Sequence, residues 1–235
     1  MKKIIIASTS TLHDGNYVDY LLPELKIHFK GVAEILFIPY ARPSGISHED
    51  YTSKVALAFS QINIKVRGIH EFENPIEEVE KAQGIFTGGG NTFLLVSQLY
   101  KNNVLLAIEK AVKNGTPYLG TSAGSNICGL TMGTTNDMPI VYPPSFQTFG
   151  FVPFNINPHY LDPIEGSTHM GETRETRINE FHQFNSQLVV GLREGSWLEV
   201  IGDSIRLKGD LTARIFTRNN AAYEVEPETE LNTLK

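Results

Sequence analysis

A serine stands between two glycines in the stretch GTSAGSN, residues 120–126, directly after the apolar run TPYL. The spacing of Gly120, Ser122 and Gly124 suits a sharp strand-to-helix turn, on which small residues let the backbone approach closely and the serine is presented as a nucleophile. The N–H of the next residue, Ala123, would then face an oxyanion. A second small-residue stretch, TGGGNT over 87–92, offers Gly88, Gly89 or Gly90 as the source of a second N–H. GxSxG alone is a weak pattern that also describes a small-residue helix cap, and the strand pattern before it is what favours the nucleophile.

A nucleophilic serine needs a base, and the chain has seven histidines. His13, His28, His48, His70 and His182 fall at helix or strand edges, or on a helix, where a surface or satisfied core side chain accounts for them. His159, in NINPHYLD, follows a proline at the end of an extended run and is held in a defined place; His169, in STHMGETR, is its competitor. The acid that orients such a base must be a carboxylate beside it. Asp137, in TTNDMP, and Glu194, in GLREGS, both lie in loops next to strand ends, and chain order does not choose between them. Asp162 reads as a turn residue before Pro163. A metal site from His159, Asp162, Glu165 and His169 has no standard zinc spacing, so no metal and no cofactor is expected. Cys128 reads as core packing, and Ser125 as a helix residue without chemistry.

These residues must be positioned by regular elements. Short β-branched runs over 3–8, 34–41, 65–70, 84–88 and 116–122 read as strands, and segments over 17–29, 48–62, 74–82, 92–100 and 104–115 read as helices. Asn74 before Pro75 marks a helix start and Gly115 a helix stop. Such alternation predicts an α/β fold with a mostly parallel sheet flanked by helices, whose ligands bind outside the carboxyl ends of the strands. Both small-residue stretches fall there. Beyond Ser122 a Pro- and aromatic-rich stretch is followed by a helix over 171–184. Strands with tight turns at Gly202-Asp203 and Asn219-Asn220 then extend the sheet in antiparallel fashion. No linker or repeat interrupts the chain, so residues 1–235 are expected to form one domain.

With 41% apolar residues, 20% charged residues and a formal charge of −6, the chain can bury a sizeable core and has no basic field for nucleic acid. No apolar window is long enough to span a bilayer, and one cysteine excludes an intrachain disulfide. A cytoplasmic monomer or homodimer without membrane contact is the expectation.

Taken together and in order, GGGNTF, GTSAGSN, TTNDMPI, NPHYLDP, GETRETRI and GLREGSWL closely resemble the α-aspartyl dipeptidases of serine peptidase family S51. The resemblance implies a fold like that of the class I glutamine amidotransferases and cleavage of dipeptides with an N-terminal aspartate. It also implies Ser122 as nucleophile, His159 as base and Asp137 as third member, with Glu194 the alternate. Recognition of an Asp-X substrate calls for a cation, and Arg174 and Arg177 share one helix face. Without the resemblance, pairing of these arginines with Glu172, Glu175 or Glu180 would be the simpler account; with it, Arg174 is favoured for the substrate carboxylate. Two alternatives remain: a cyanophycinase-like enzyme of the same family, acting on a β-aspartyl-arginine polymer, and a noncatalytic binder of an acidic metabolite.

Overall fold

The structure, a computed structural model, describes residues 1–163, 166, 168 and 170–234. In chain order its elements begin β1 (Lys3–Ala7), α1 (Leu22–His28), β2 (Glu34–Ile38), α2 (His48–Ser60), β3 (Lys65–Gly68), α3 (Pro75–Lys81) and β4 (Ile85–Thr87). They continue α4 (Thr92–Lys101), α5 (Leu105–Lys113), β5 (Tyr118–Thr121), α6 (Ala123–Asn126), β6 (Asn155–Pro158) and α7 (Arg174–Phe184). Five strands close the chain: β7 (Val189–Leu192), β8 (Trp197–Ile201), β9 (Ser204–Lys208), β10 (Ala213–Phe216) and β11 (Tyr223–Val225).

Seven strands form the main sheet in the order β3-β2-β4-β5-β1-β8-β9. The first five run parallel, and the β8–β9 hairpin adds antiparallel strands beside β1. Ile4, Ile5, Ile6 and Ala7 are all buried because helices or a second layer cover both faces. Their side chains alternate between two cores. Ile5 and Ala7 pack with Leu25 of α1 and with Tyr51, Val55 and Phe59 of α2. Ile4 and Ile6 share the larger core with Leu95 and Leu99 of α4, Ile108 of α5, and residues of a second sheet.

That second sheet departs from the sequence expectation. Instead of extending the first, β6, β7, β10 and β11 form their own sheet in the order β11-β10-β7-β6. The physical reason lies at the edges of the main sheet. Residues β8 and β9 occupy the free side of β1 through a two-residue turn, with Gly202 at φ 62°, and the terminal segment then covers β9. Leu231 donates its N–H to the Ile205 carbonyl and Leu207 donates to that of Thr229, which covers the sheet edge beside β9. The run over 65–70 is also shorter than expected: β3 ends at Gly68, whose N–H donates to Glu71 Oε1 across one helical turn. The helix start marked by Asn74 follows its signal, since its side chain accepts from Glu77 N, and the structure adds a like cap in Asn91, which accepts from Leu94 N. Among the described residues no helix is long and apolar enough to cross a membrane.

Phe86 of β4 contacts the rings of Tyr17, Phe37 and Phe59 immediately before the glycine loop. Phe86→Ala is expected to cost about 3–5 kcal/mol, because a fully buried ring leaves a cavity that neighbouring rings cannot fill. Urea unfolding measures this directly; an unchanged midpoint contradicts the packing described.

Candidate active site

Ser122 sits between β5 and α6 with φ 56° and ψ −113°, a conformation that costs a residue with a side chain roughly 1–3 kcal/mol. Its neighbours show what holds it there. A Cβ on Gly120 would stand 2.4 Å from the Gly124 carbonyl oxygen, and one on Gly124 would stand 2.2 Å from the Thr87 carbonyl oxygen. The two glycines of the motif are therefore required by close packing of the turn against itself and against β4. Ser125 Oγ lies 2.5 Å from the Ala7 carbonyl and 2.7 Å from that of Gly120, fastening the turn to β1 and β5 from beneath.

His159 arrives from the other sheet. It follows β6 at φ 53°, and its N–H donates to Ser8 Oγ at 2.8 Å, while that hydroxyl donates to the Leu192 carbonyl at 2.7 Å. Its Nε2 lies 2.8 Å from Ser122 Oγ and its Nδ1 lies 2.6 Å from Glu194 Oε1. The carboxylate is acceptor-only, so Nδ1 carries the proton and Nε2 is left to accept from the serine hydroxyl. Glu194 stands two residues beyond β7, the parallel neighbour of β6, with Pro158 opposite Leu192 in the register. Two adjacent parallel strands thus end together and put His159 and Glu194 side by side.

The glycine loop supplies N–H groups, most of them already engaged. Gly88 N–H donates to the Ile38 carbonyl at 3.2 Å, Gly89 N–H to the Tyr51 hydroxyl at 3.1 Å, and Asn91 N–H to the Ala41 carbonyl at 2.7 Å. Gly90 N–H has no acceptor among the described residues, and neither has Ala123 N–H, the first of α6. Unpaired donors beside a nucleophile suit an oxyanion. A Cβ on Gly89 would stand 2.8 Å from Ser122 Cβ, so the loop abuts the serine.

The sequence matches the profile of Peptidase family S51 over residues 4–208. It is 46% identical over 231 residues to a protein named Peptidase E from Streptomyces coelicolor, covering 98% of this chain and 94% of that one. The chain belongs to peptidase family S51. Another relative, the Drosophila melanogaster protein named "Probable alpha-aspartyl dipeptidase", is 41% identical over 236 residues, covering 99% of this chain and 97% of its own. The crystal structure of a peptidase from an acI-B1 Actinobacterium superposes with a TM-score of 0.70 at 15% identity, covering 98% of this chain and 96% of that one. The S51 chain therefore has the α/β architecture expected of it, like that of the class I glutamine amidotransferases.

Within this S51 site the carboxylate at His159 is Glu194, whereas Asp137 faces elsewhere. Asp137 Oδ2 accepts from the Thr92 N–H and hydroxyl, both at 2.7 Å, and from the Thr135 hydroxyl at 3.1 Å. The free N–H at the start of α4 attracts a carboxylate, and it has drawn Asp137 away from the imidazole. Asp137 also lies in the field of Arg174, whose guanidinium is pulled below its ordinary pKa by burial and by Arg177 and is supported by Asp137. Neither arginine forms an ion pair with a glutamate of its own helix; Glu175 instead reaches Arg214 at 2.9 Å. Arg174 and Arg177 line a cleft of about 50 Å³ with Thr134, Asn136 and Asn157. Asn136 donates from its amide to the Pro158 carbonyl at 2.7 Å, which places this cleft against the backbone that carries His159.

Other candidates have structural roles. His28 contacts the Tyr118 carbonyl at 3.1 Å and is pushed down to a pKa of about 3 by burial, and His182 contacts the Gln187 carbonyl at 3.0 Å. Cys128 is buried, which pushes its thiol pKa up. No group of three metal-ligating side chains occurs among the described residues; of the four residues considered for a metal, Glu165 and His169 lie outside them. Asp162 is engaged by Arg193, which holds it through Nε and Nη2 at 2.8 Å each and reaches Glu224 and the Thr212 carbonyl through Nη1. This ion pair joins the loop after His159 to the residue before Glu194. Nothing in residue spacing announces it, nor the contact of Ser8 with His159.

The clamp has a pH signature. Hydrogen bonds from Arg193 hold the Asp162 carboxyl below its usual range and pull Glu224 down to about 2. A carboxyl depressed by folding contributes stability above its unfolded pKa, and that contribution is lost as pH falls through the folded value. Glu224→Gln should therefore lower Tm most above about pH 5, with the gap to the parent protein closing toward pH 2. A gap that is constant with pH contradicts this account.

Proposed function

We propose that this S51 chain hydrolyses dipeptides with an N-terminal aspartate through an acyl-enzyme on Ser122. The observation that carries the proposal is the continuous hydrogen-bonded series Ser122–His159–Glu194, with an unpaired N–H on Ala123 beside it. Ser122 Oγ attacks the aspartyl carbonyl as His159 Nε2 takes its proton, and Glu194 holds the imidazolium that forms. Negative charge on the carbonyl oxygen is met by the N–H groups of Ala123 and Gly90. His159 then returns the proton to the leaving amine; water, deprotonated by the same imidazole, attacks the ester carbonyl, and as the bond to Oγ breaks the imidazolium gives that proton back to Ser122 and aspartate is released.

Specificity for aspartate calls for a fixed cation at side-chain reach. Arg174 is half-buried and has no ion-pair partner among the described residues, so its planar guanidinium can take the substrate β-carboxylate in bidentate fashion. Arg177, more exposed on the same helix, adds positive field to the same cleft. The names of the relatives, Peptidase E and alpha-aspartyl dipeptidase, agree with this reading.

The test is a substrate panel of Asp-Leu, Glu-Leu, isoaspartyl-Leu and Asp-Leu-Gly. Asp-Leu alone should be cleaved, and Ser122→Ala should abolish the reaction. Cleavage that survives Ser122→Ala, or failure to cleave Asp-Leu, contradicts the proposal. For recognition, Arg174→Met should lower kcat/KM for Asp-Leu by at least about a hundredfold, since a bidentate charge-assisted contact is lost. A loss of less than about threefold removes Arg174 from that role.

A further inference from the structure

We propose that Tyr51, on α2, is a positioning residue that aims the Gly90 N–H at the oxyanion by holding the peptide group between Gly89 and Gly90. The inference rests on the reading of Ser122 as the nucleophile. Tyr51 is distant in sequence from every motif of the site, yet its hydroxyl meets both polar groups of Gly89. It accepts from the Gly89 N–H at 3.1 Å and lies 3.3 Å from the Gly89 carbonyl oxygen, to which it can donate.

The geometry of a peptide group gives these contacts their consequence. The Gly89 carbonyl and the Gly90 N–H belong to one planar unit, and no peptide bond among the described residues is cis. In a trans peptide the C=O and N–H point in opposite directions. A donor that fixes the Gly89 carbonyl toward Tyr51 therefore turns the Gly90 N–H away from Tyr51, and Gly90 is the residue of the loop whose N–H is unpaired. Gly89 also abuts Ser122: a Cβ on it would stand 2.8 Å from Ser122 Cβ and 3.3 Å from its Oγ. A hydrogen bond on the carbonyl also polarises the amide and strengthens its N–H as a donor.

Tyr51 can do this because it is itself fixed. It is 1% exposed, packs edge-on against Phe37 at 4.9 Å, and has the Arg42 guanidinium 5.0 Å above its ring. Its hydroxyl lies 3.2 Å from that of Tyr17. Burial raises the Tyr17 pKa well above the ordinary phenol value, so Tyr17 stays protonated and can donate to Tyr51. The Tyr51 oxygen accepts from Gly89 N–H and its single proton goes to the Gly89 carbonyl, an arrangement that the Tyr17 hydroxyl accompanies and does not direct. A phenylalanine would keep the packing and lose every one of these bonds.

Tyr51→Phe and Tyr17→Phe separate positioning from the general cost of deleting a buried hydroxyl. Each is compared with the parent protein for Tm, for kcat and KM on Asp-Leu, and for hydrogen exchange of residues 87–91. Tyr51→Phe should lower kcat by roughly 10–100-fold, short of the full loss of an oxyanion donor, with KM within about twofold. It should also speed exchange in the glycine loop, whereas Tyr17→Phe should keep kcat within about threefold at a similar loss of Tm. Parent-like kcat in Tyr51→Phe, or equal kcat losses in the two variants, overturns the proposal. Should the parent protein not cleave Asp-Leu, the function proposed above fails, and exchange alone decides Tyr51. Faster exchange in Tyr51→Phe than in Tyr17→Phe then upholds the clamp, and equal exchange overturns it.

Discussion

The hydrogen bond between Ser122 and His159 spans two sheets, and the chemistry depends on how those sheets meet. Ser122 belongs to the end of β5 in the parallel sheet, His159 to the end of β6 in the smaller one. A contact of 2.8 Å across such a junction tolerates little sliding. Two features hold the junction. The larger core runs through both sheets, joining Ile4 and Ile6 to Ile156, Val190 and Leu192. Ser8, just past β1, binds the His159 N–H and the Leu192 carbonyl together. Within the smaller sheet, Arg193 and Asp162 tie the loops that carry His159 and Glu194 to each other.

Backbone groups do as much for the site as side chains. Both Ser122 and His159 have positive φ, a conformation held by surrounding contacts rather than by local preference. Gly120 and Gly124 are demanded by contacts that would place a Cβ inside a carbonyl oxygen's radius. In the glycine loop, the N–H groups of Gly88, Gly89 and Asn91 are spent on structure, and the one on Gly90 is left over. Which donor faces the substrate is thus decided by hydrogen-bond accounting over the whole loop.

Much of this was legible in the sequence. The β-branched runs and the cap at Asn74 fix the parallel half of the fold, and the glycine spacing around Ser122 follows from the tightness of its turn. Family motifs drew attention to His159 and to both acids. The choice between the acids was hidden, because it turns on a long-range fact: β6 and β7 are parallel neighbours, so the residues just beyond them share one end of the sheet. Asp137 lies near the site in sequence motif and in space, but a helix N-terminus competes for its carboxylate. Tyr51 was hidden for a similar reason. A tyrosine on a helix with a buried face reads as core, and only the position of its hydroxyl against Gly89 gives it another role.

The catalytic geometry depends most directly on Glu194 orienting His159. A side-by-side comparison of kcat for Glu194→Gln and Asp137→Asn on Asp-Leu tests it, because each change removes charge while keeping shape. Glu194→Gln should lower kcat by about a hundredfold or more, as expected when the partner of a catalytic imidazole is lost. Asp137→Asn should leave kcat within about tenfold of the parent protein. The reverse order, with Asp137→Asn crippling and Glu194→Gln mild, would contradict the assignment.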